Sequence, residues 1–232
     1  YSLMNALKNI ISNPIINEND YMKSIGLYID ESCDKKLISE VNYVINILEK
    51  LDVNSLSEQN KLMYHLFIST AYSEKYDLTI ANNINEVWKW EQILIEKQIL
   101  NLRIANQLKD DNIDNNNLTN IFTNLANRYN NIGRFLYSFD YWNKAIEINP
   151  NSGLPFINMG NTLAYYGINY LNENKYQYAY IQLAHHYLNK GISRQLENDV
   201  IFQVKEKINH LEKEYKYILD FVFCKDEFNI NY

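Results

Sequence analysis

The chain has 232 residues, 47% of them hydrophobic and 14% aromatic, enough apolar material for one large domain or two small ones and too much for a disordered protein. Lysine and arginine total 22 against 28 aspartate and glutamate, and only Arg103, Arg128, Arg134 and Arg194 are arginines. A net charge of −6 disfavours a chain-wide attraction to nucleic acid or anionic lipid, and six glycines with three prolines favour helices over β-rich or loop-rich architectures.

Taken in chain order, the apolar spacing predicts a series of helical hairpins. Ile25, Tyr28, Ile29, Val41, Ile45 and Leu48 mark two helices near 20–33 and 36–51. A second hairpin spans about 60–108, with Ile68, Ser69 and Tyr72 on its first helix and Leu102 and Ala105 on its second. About 17 inserted residues separate the two, including the loop Asn82-Asn83-Ile84-Asn85 and the start of a long helix from about Glu86 to Gln107. Residues 119–152 form the clearest unit. Large side chains, Phe122, Leu125, Tyr129, Phe135 and Trp142, alternate with small ones, Ala126, Ser138 and Ala145, while Gly133 and Pro150 punctuate the two ends of the second helix. Small residues let two backbones approach where helices cross, and large ones fill the space between hairpins. Residues 153–193 repeat the pattern with Phe156, Met159, Gly160, Leu163 and Gly167, then Ala184, Leu188, Gly191 and Ile192 after an insertion of about 12 residues over Tyr170 to Gln182. Val200, Val204, Ile208, Leu211, Tyr215 and Ile218 then form the stripe of one long covering helix over 196–221. The apolar end, Phe221-Val222-Phe223 with Phe228, packs back on the hairpins or begins a further domain.

In a 34-residue frame with Pro150 at position 32, residues 119–152 resemble a tetratricopeptide (TPR) repeat at almost every diagnostic position. The resemblance implies an all-α, right-handed solenoid of four hairpins over residues 1–232, closed by the covering helix. In such a fold the first helix of each hairpin lines a concave face at positions 2, 5, 9 and 12. These are Asn120, Thr123, Asn127 and Asn130 in one repeat and Leu154, Ile157, Asn161 and Ala164 in the next. An asparagine amide both donates and accepts, so Asn120, Thr123, Asn127, Asn130 and Asn161 are the candidate peptide-binding residues. The chain holds 36 asparagines amid many Ile, Lys and Tyr, a bias of AT-rich coding, so a single asparagine carries little weight. The cations of a carboxylate clamp are missing from these positions, which argues against a C-terminal-carboxylate ligand.

Little else points to chemistry. Cys33 and Cys224 are too few for a disulfide scaffold and stand in no zinc-ligand spacing, as expected of a chain from a reducing, cytoplasmic setting. His185 and His186 are adjacent, so on a helix they point about 100° apart; one is expected to pack and the other to face solvent. His65 and His210 are isolated, and no nucleophile elbow, zinc helix, P-loop or dinucleotide motif occurs. The expectation is a binding module without enzymatic activity, metal or cofactor. No apolar run approaches the ~18 residues that would span a bilayer, and Tyr1-Ser2-Leu3-Met4 has no leader-peptide pattern. A tyrosine in first place suggests a chain cut from something longer.

A second resemblance joins Trp88-x-Trp90-Glu91, Gly133-Arg134-Phe135, Tyr141-Trp142, Asn158-Met159-Gly160-Asn161 and Ala184-His185-His186-Tyr187-Leu188. Together, over roughly residues 25–220, they are similar to a bacterial family in which divergent TPR-like repeats precede a C-terminal HEPN domain, often a ribonuclease of toxin and antiphage systems. That resemblance implies a sensing or regulatory role, with a protein, a peptide or its own C-terminal effector domain as partner. None of the four arginines is followed by a histidine in the R-x4–6-H spacing of HEPN nucleases, so nuclease activity is expected beyond Tyr232 or nowhere. A self-contained RNA-processing enzyme with an unorthodox site and a structural oligomerisation domain are the two alternatives.

Overall fold

A computed structural model of the chain describes residues 2–13, 17–80, 93–108, 113–171 and 175–222. The described residues form eleven α-helices and one 3-10 turn, and no strand. The helices are α1 (Ser2–Ser12), α2 (Glu18–Asp34), α3 (Ile38–Lys50), α4 (Glu58–Thr79), α5 (Ile93–Leu108), α6 (Asn115–Asn131), α7 (Phe135–Ile148), α8 (Leu154–Asn169), α9 (Lys175–Ile192), α10 (Asn198–Glu214) and α11 (Lys216–Leu219). The fold is all-α, its helices packed in consecutive pairs, and no described helix is long and apolar enough to cross a membrane. Two compact units divide within α7, residues 1–141 and residues 142–232.

Short polar residues start three helices of the first unit. Asn17, Ser57 and Asp114 turn their side chains onto free backbone N–H groups at the starts of α2, α4 and α6. Two residues with positive φ make the tight corners: Lys36 between α2 and α3, and Gly133, at φ 75°, between α6 and α7. Helix α1 was not anticipated. Its Met4, Leu7 and Ile11 enter the same core as Ile25, Tyr28, Val44 and Leu48, and their spacing of three and four is that of an amphipathic helix.

Polar contacts define the order of the rows. Lys8 pairs with Glu40 at 2.8 Å and Ser12 meets Tyr43 at 2.6 Å, so α1 runs parallel to α3. Asn19 meets Asn60 at 2.7 Å and Gly26 faces Phe67, so α2 runs parallel to α4. The Asn117 amide approaches Met63 while Arg128 lies near Tyr76 and Asp77, so α6 parallels α4 in turn. His65 with Asn101 and Ser69 with Gln98 make α5 antiparallel to α4. The first unit is thus two interleaved rows, α1/α3/α5 and α2/α4/α6. At its end, Tyr129 stacks between Tyr137 and Tyr141 with ring centroids 5.4 and 5.7 Å away, and Ala126 is fully buried.

In the second unit, glycines set the approach of α8 and α9. A Cβ on Gly160 would meet Leu188, one on Gly167 would meet Ile181, and one on Gly191 would meet Ile157, a register that runs antiparallel. Trp142 and Ala145 are buried to 1% and 0% exposure. The helix expected over 196–221 is α10 followed, after a break at Tyr215, by the short α11. Gln182 of α9 holds the end of α11, its amide nitrogen donating to the carbonyls of Ile218 and Phe221, both at 2.7 Å. The expected long helix from Glu86 is seen from Ile93; Trp88, Trp90, Glu91, the loop 82–85, Phe223, Cys224 and Phe228 lie outside the described residues.

Candidate functional site

The five candidate asparagine and threonine positions divide between the units. Asn120, Thr123, Asn127 and Asn130 lie along α6 of the first, and Asn161 lies on α8 of the second. Asn120 is exposed, and Asn127 and Asn130 are half-buried. Thr123 is buried, and neither its hydroxyl nor the enclosed carbonyl oxygen of Asn130 has a hydrogen-bond partner. Asn161 accepts a 2.8 Å hydrogen bond from the Lys207 ammonium of α10. The Lys207 stem is exposed, yet desolvation of its ammonium end lowers its pKa. Two residues expected on the open inner face of this repeat are interior instead. Ile157 and Ala164 are 3% and 2% exposed, and Ile157 fills the space left by the missing side chain of Gly191.

The open groove of the first unit lies along α2 and α4 and reaches α6 through Asn117. A cavity of about 480 Å³ is lined by Met22, Lys23, Gly26, Leu27 and Asp30 of α2 and by Gln59, Asn60, Met63 and Phe67 of α4. A second, of about 400 Å³, shares Gln59, Met63 and Asn117 and extends to Glu58, Leu108, Ile113 and Asp114. Gly26 makes this geometry possible, because a Cβ there would sit 2.8 Å from the tip of the Phe67 ring. One end of the groove is locked: the buried Asn60 amide donates to Glu18 at 2.6 Å and to Asn19 at 2.7 Å. Hydrogen bonds from Ser57 and Asn60 hold the Glu18 carboxyl below its ordinary value. At the α6 entrance, Asp114 caps the helix and accepts the Asn117 amide at 2.6 Å.

Toward the other end the charges are poorly matched. Partial desolvation of a largely exposed carboxyl, with Asp34 alongside, raises the pKa of Asp30, and burial, with Asp77 alongside, raises that of Glu74. Cys33 lies among them. Burial first, then Glu74, Asp30 and Asp34, push its thiol up to about 12. A thiol held protonated in this way is no nucleophile. Lys36 offsets Glu74 in part, and Arg128 lies beside Asp77 and Tyr76, its own pKa lowered by desolvation and its Nη1 without a hydrogen-bond partner.

The histidines are dispersed. The Nδ1 of His65 donates to the amide oxygen of Asn101 at 2.7 Å, with burial lowering the pKa of the ring. His185 is half-buried and bonded to Glu212 at 2.8 Å, while His186 is exposed, the division expected of adjacent helical positions. Among the described residues no group of three His, Cys, Asp or Glu is placed to hold a metal ion.

Sequence reasoning missed the groove on α2 and α4. Its signal was there in Gly26, a small residue within the spacing of Ile25, Tyr28 and Ile29, where helix propensity alone would favour alanine by about 1 kcal/mol. No protein-family model matches the chain, and no curated protein matches it significantly. The functional reading therefore rests on the groove.

Proposed function

We propose that the chain is a protein- or peptide-recognition module of TPR type, whose binding surface is the α2/α4/α6 groove of residues 1–141. The single supporting observation is this groove, formed from a row of parallel helices, with an apolar floor of Met63 and Phe67 between polar walls. A floor of this kind takes apolar side chains, and the amides of Asn19, Gln59 and Asn117 offer both donors and acceptors to a peptide backbone. Asn120 and Asn127 share α6 with Asn117 and are not among the residues that line the two cavities. Asn161 is occupied by Lys207 and lies outside this groove. The regulatory context, as the sensing part of a larger bacterial HEPN-type protein, follows the motif resemblance alone. Carboxylates along the groove disfavour an RNA substrate there, so no enzymatic role is assigned to these residues.

Panning the full chain against displayed peptides tests the reading. Selected peptides are expected to lose at least about tenfold in affinity, or about 1.4 kcal/mol, on Leu27→Arg with Gln59→Arg, since both positions are exposed. The melting temperature should not move. Binders indifferent to this double variant, or no binders at all, would remove the groove from the proposal.

A further inference from the structure

The same groove carries a marker of what occupies it. Resting on the peptide-recognition reading, we infer that the occupant is a basic segment, with lysine or arginine side chains interspersed among apolar residues.

The argument begins with Asp30, which belongs both to the groove lining and to a set of carboxylates at its end. Asp30 lies within electrostatic reach of Asp34, Glu74 of Asp34 and Asp77, and Cys33 of Asp30, Asp34 and Glu74. Of these four carboxylates Asp30 lines the groove, with Asp34 one helical turn beyond it on α2. The cations that face them are Lys36, which acts on Glu74, and Arg128, which acts on Asp77. Glu58 and Asp114 line the opposite entrance, while Lys23 is the cation of the groove wall.

The shape of the groove agrees with the charge. Leu27, 44% exposed, lies one turn before Asp30, and Phe67 covers Gly26 beside it. An apolar surface next to a carboxylate fits the long cations: the methylene stem lies along Leu27 and Phe67 while the charged head reaches Asp30. A neutral or acidic side chain would leave Asp30, Asp34 and Glu74 repelling one another. A cation relieves that repulsion, which gives electrostatic complementarity a direct role in partner choice.

Three synthetic peptides of equal length, with lysine, glutamine or glutamate interspersed among leucines, test the inference on the full chain by fluorescence anisotropy. The lysine peptide is expected to bind at least about tenfold more tightly than either other, and to lose about tenfold between about 50 and about 300 mM salt. Asp30→Lys with Asp34→Lys, both exposed sites, should abolish that preference without lowering the melting temperature. If the glutamine or glutamate peptide binds as tightly as the lysine peptide, and Leu27→Arg disrupts it, the charge inference falls while the groove stands. If none of the three binds, both fall. A lysine peptide unaffected by the Asp30 and Asp34 variants would overturn the placement.

Discussion

Two helix faces at equivalent places in the repeat pattern have been treated in opposite ways. On α2, Ile25, Tyr28 and Ile29 stand where Phe156, Met159 and Gly160 stand on α8, which matches Gly26 with Ile157 and Asp30 with Asn161. In the first unit the place of Gly26 is small, a large ring from the next hairpin lies over it, and Asp30 faces an open groove. In the second unit the place is filled by Ile157, packed on Gly191, and Asn161 is bound to Lys207 of α10. The contrast teaches that one structural position can be closed by packing or left open to a groove. The choice depends on which neighbour supplies the bulk and whether a following helix covers the polar residue.

The comparison can be broken most severely at the core of the second unit. Trp142→Ala removes a side chain that is 1% exposed and should cost about 3–5 kcal/mol, read as a lower denaturation midpoint. An unaltered midpoint would contradict its burial. The two glycines sharpen the contrast with a smaller effect. A Cβ on Gly191 would lie 2.2 Å from Ile157 Cδ1 and 2.7 Å from its Cγ1, both on a buried side chain, so Gly191→Ala should cost about 1–3 kcal/mol. At Gly26 the obstacle is the half-buried Phe67 ring tip, which can tilt outward. The helix-propensity gain of about 1 kcal/mol should then nearly offset the strain of Gly26→Ala. Equal midpoint shifts in the two variants would erase the distinction.

The smallest effect separates carboxylates that support the fold from those that burden it. Glu49 accepts from Tyr72 at 2.7 Å and from Lys97 at 3.1 Å, and these bonds lower its pKa. A lowered folded-state value means the unfolded chain binds the proton more readily. This contribution is present above the ordinary carboxylate pKa and is lost as the pH falls through the lowered one. For Glu74 and Asp30 the values are raised, so the sign reverses: their ionisation costs stability at neutral pH, and protonation relieves it in acid. Glu49→Gln should lower the midpoint at neutral pH, whereas Glu74→Gln should raise it by a few tenths to about 1 kcal/mol. Both differences should shrink well below the ordinary carboxylate pKa. A stabilising Glu49→Gln or a destabilising Glu74→Gln would contradict the assignment.

Much of the helical order was legible because local signals agreed. Gly133 sits at positive φ, and Ala126, Ser138, Trp142 and Ala145 are buried, as the alternation of small and large side chains required. Helix α1 escaped notice because it is three turns long, and its Met4, Leu7 and Ile11 lack the glycine and proline punctuation that framed the clearer hairpins. The burial of Ile157 and Ala164 was not legible, since spacing along one helix says which residues share a face and nothing of what a partner helix places against it. Gly191, more than thirty positions later, decides the place of Ile157. The groove was obscured for a related reason. In an asparagine-rich chain the amides of α6 attract attention, whereas the opening is made by Gly26 meeting Phe67 across forty residues of sequence.

The groove along α2 and α4 also sets a minimum ruler for the proposed ligand. Its lining on α2 runs from Asn19 to Asp30, and at about 1.5 Å of rise per helical residue that is about 16 Å. At about 3.3 Å per residue that is a footprint of five or six amino acids, short enough for a linear tail or an exposed loop tip to satisfy.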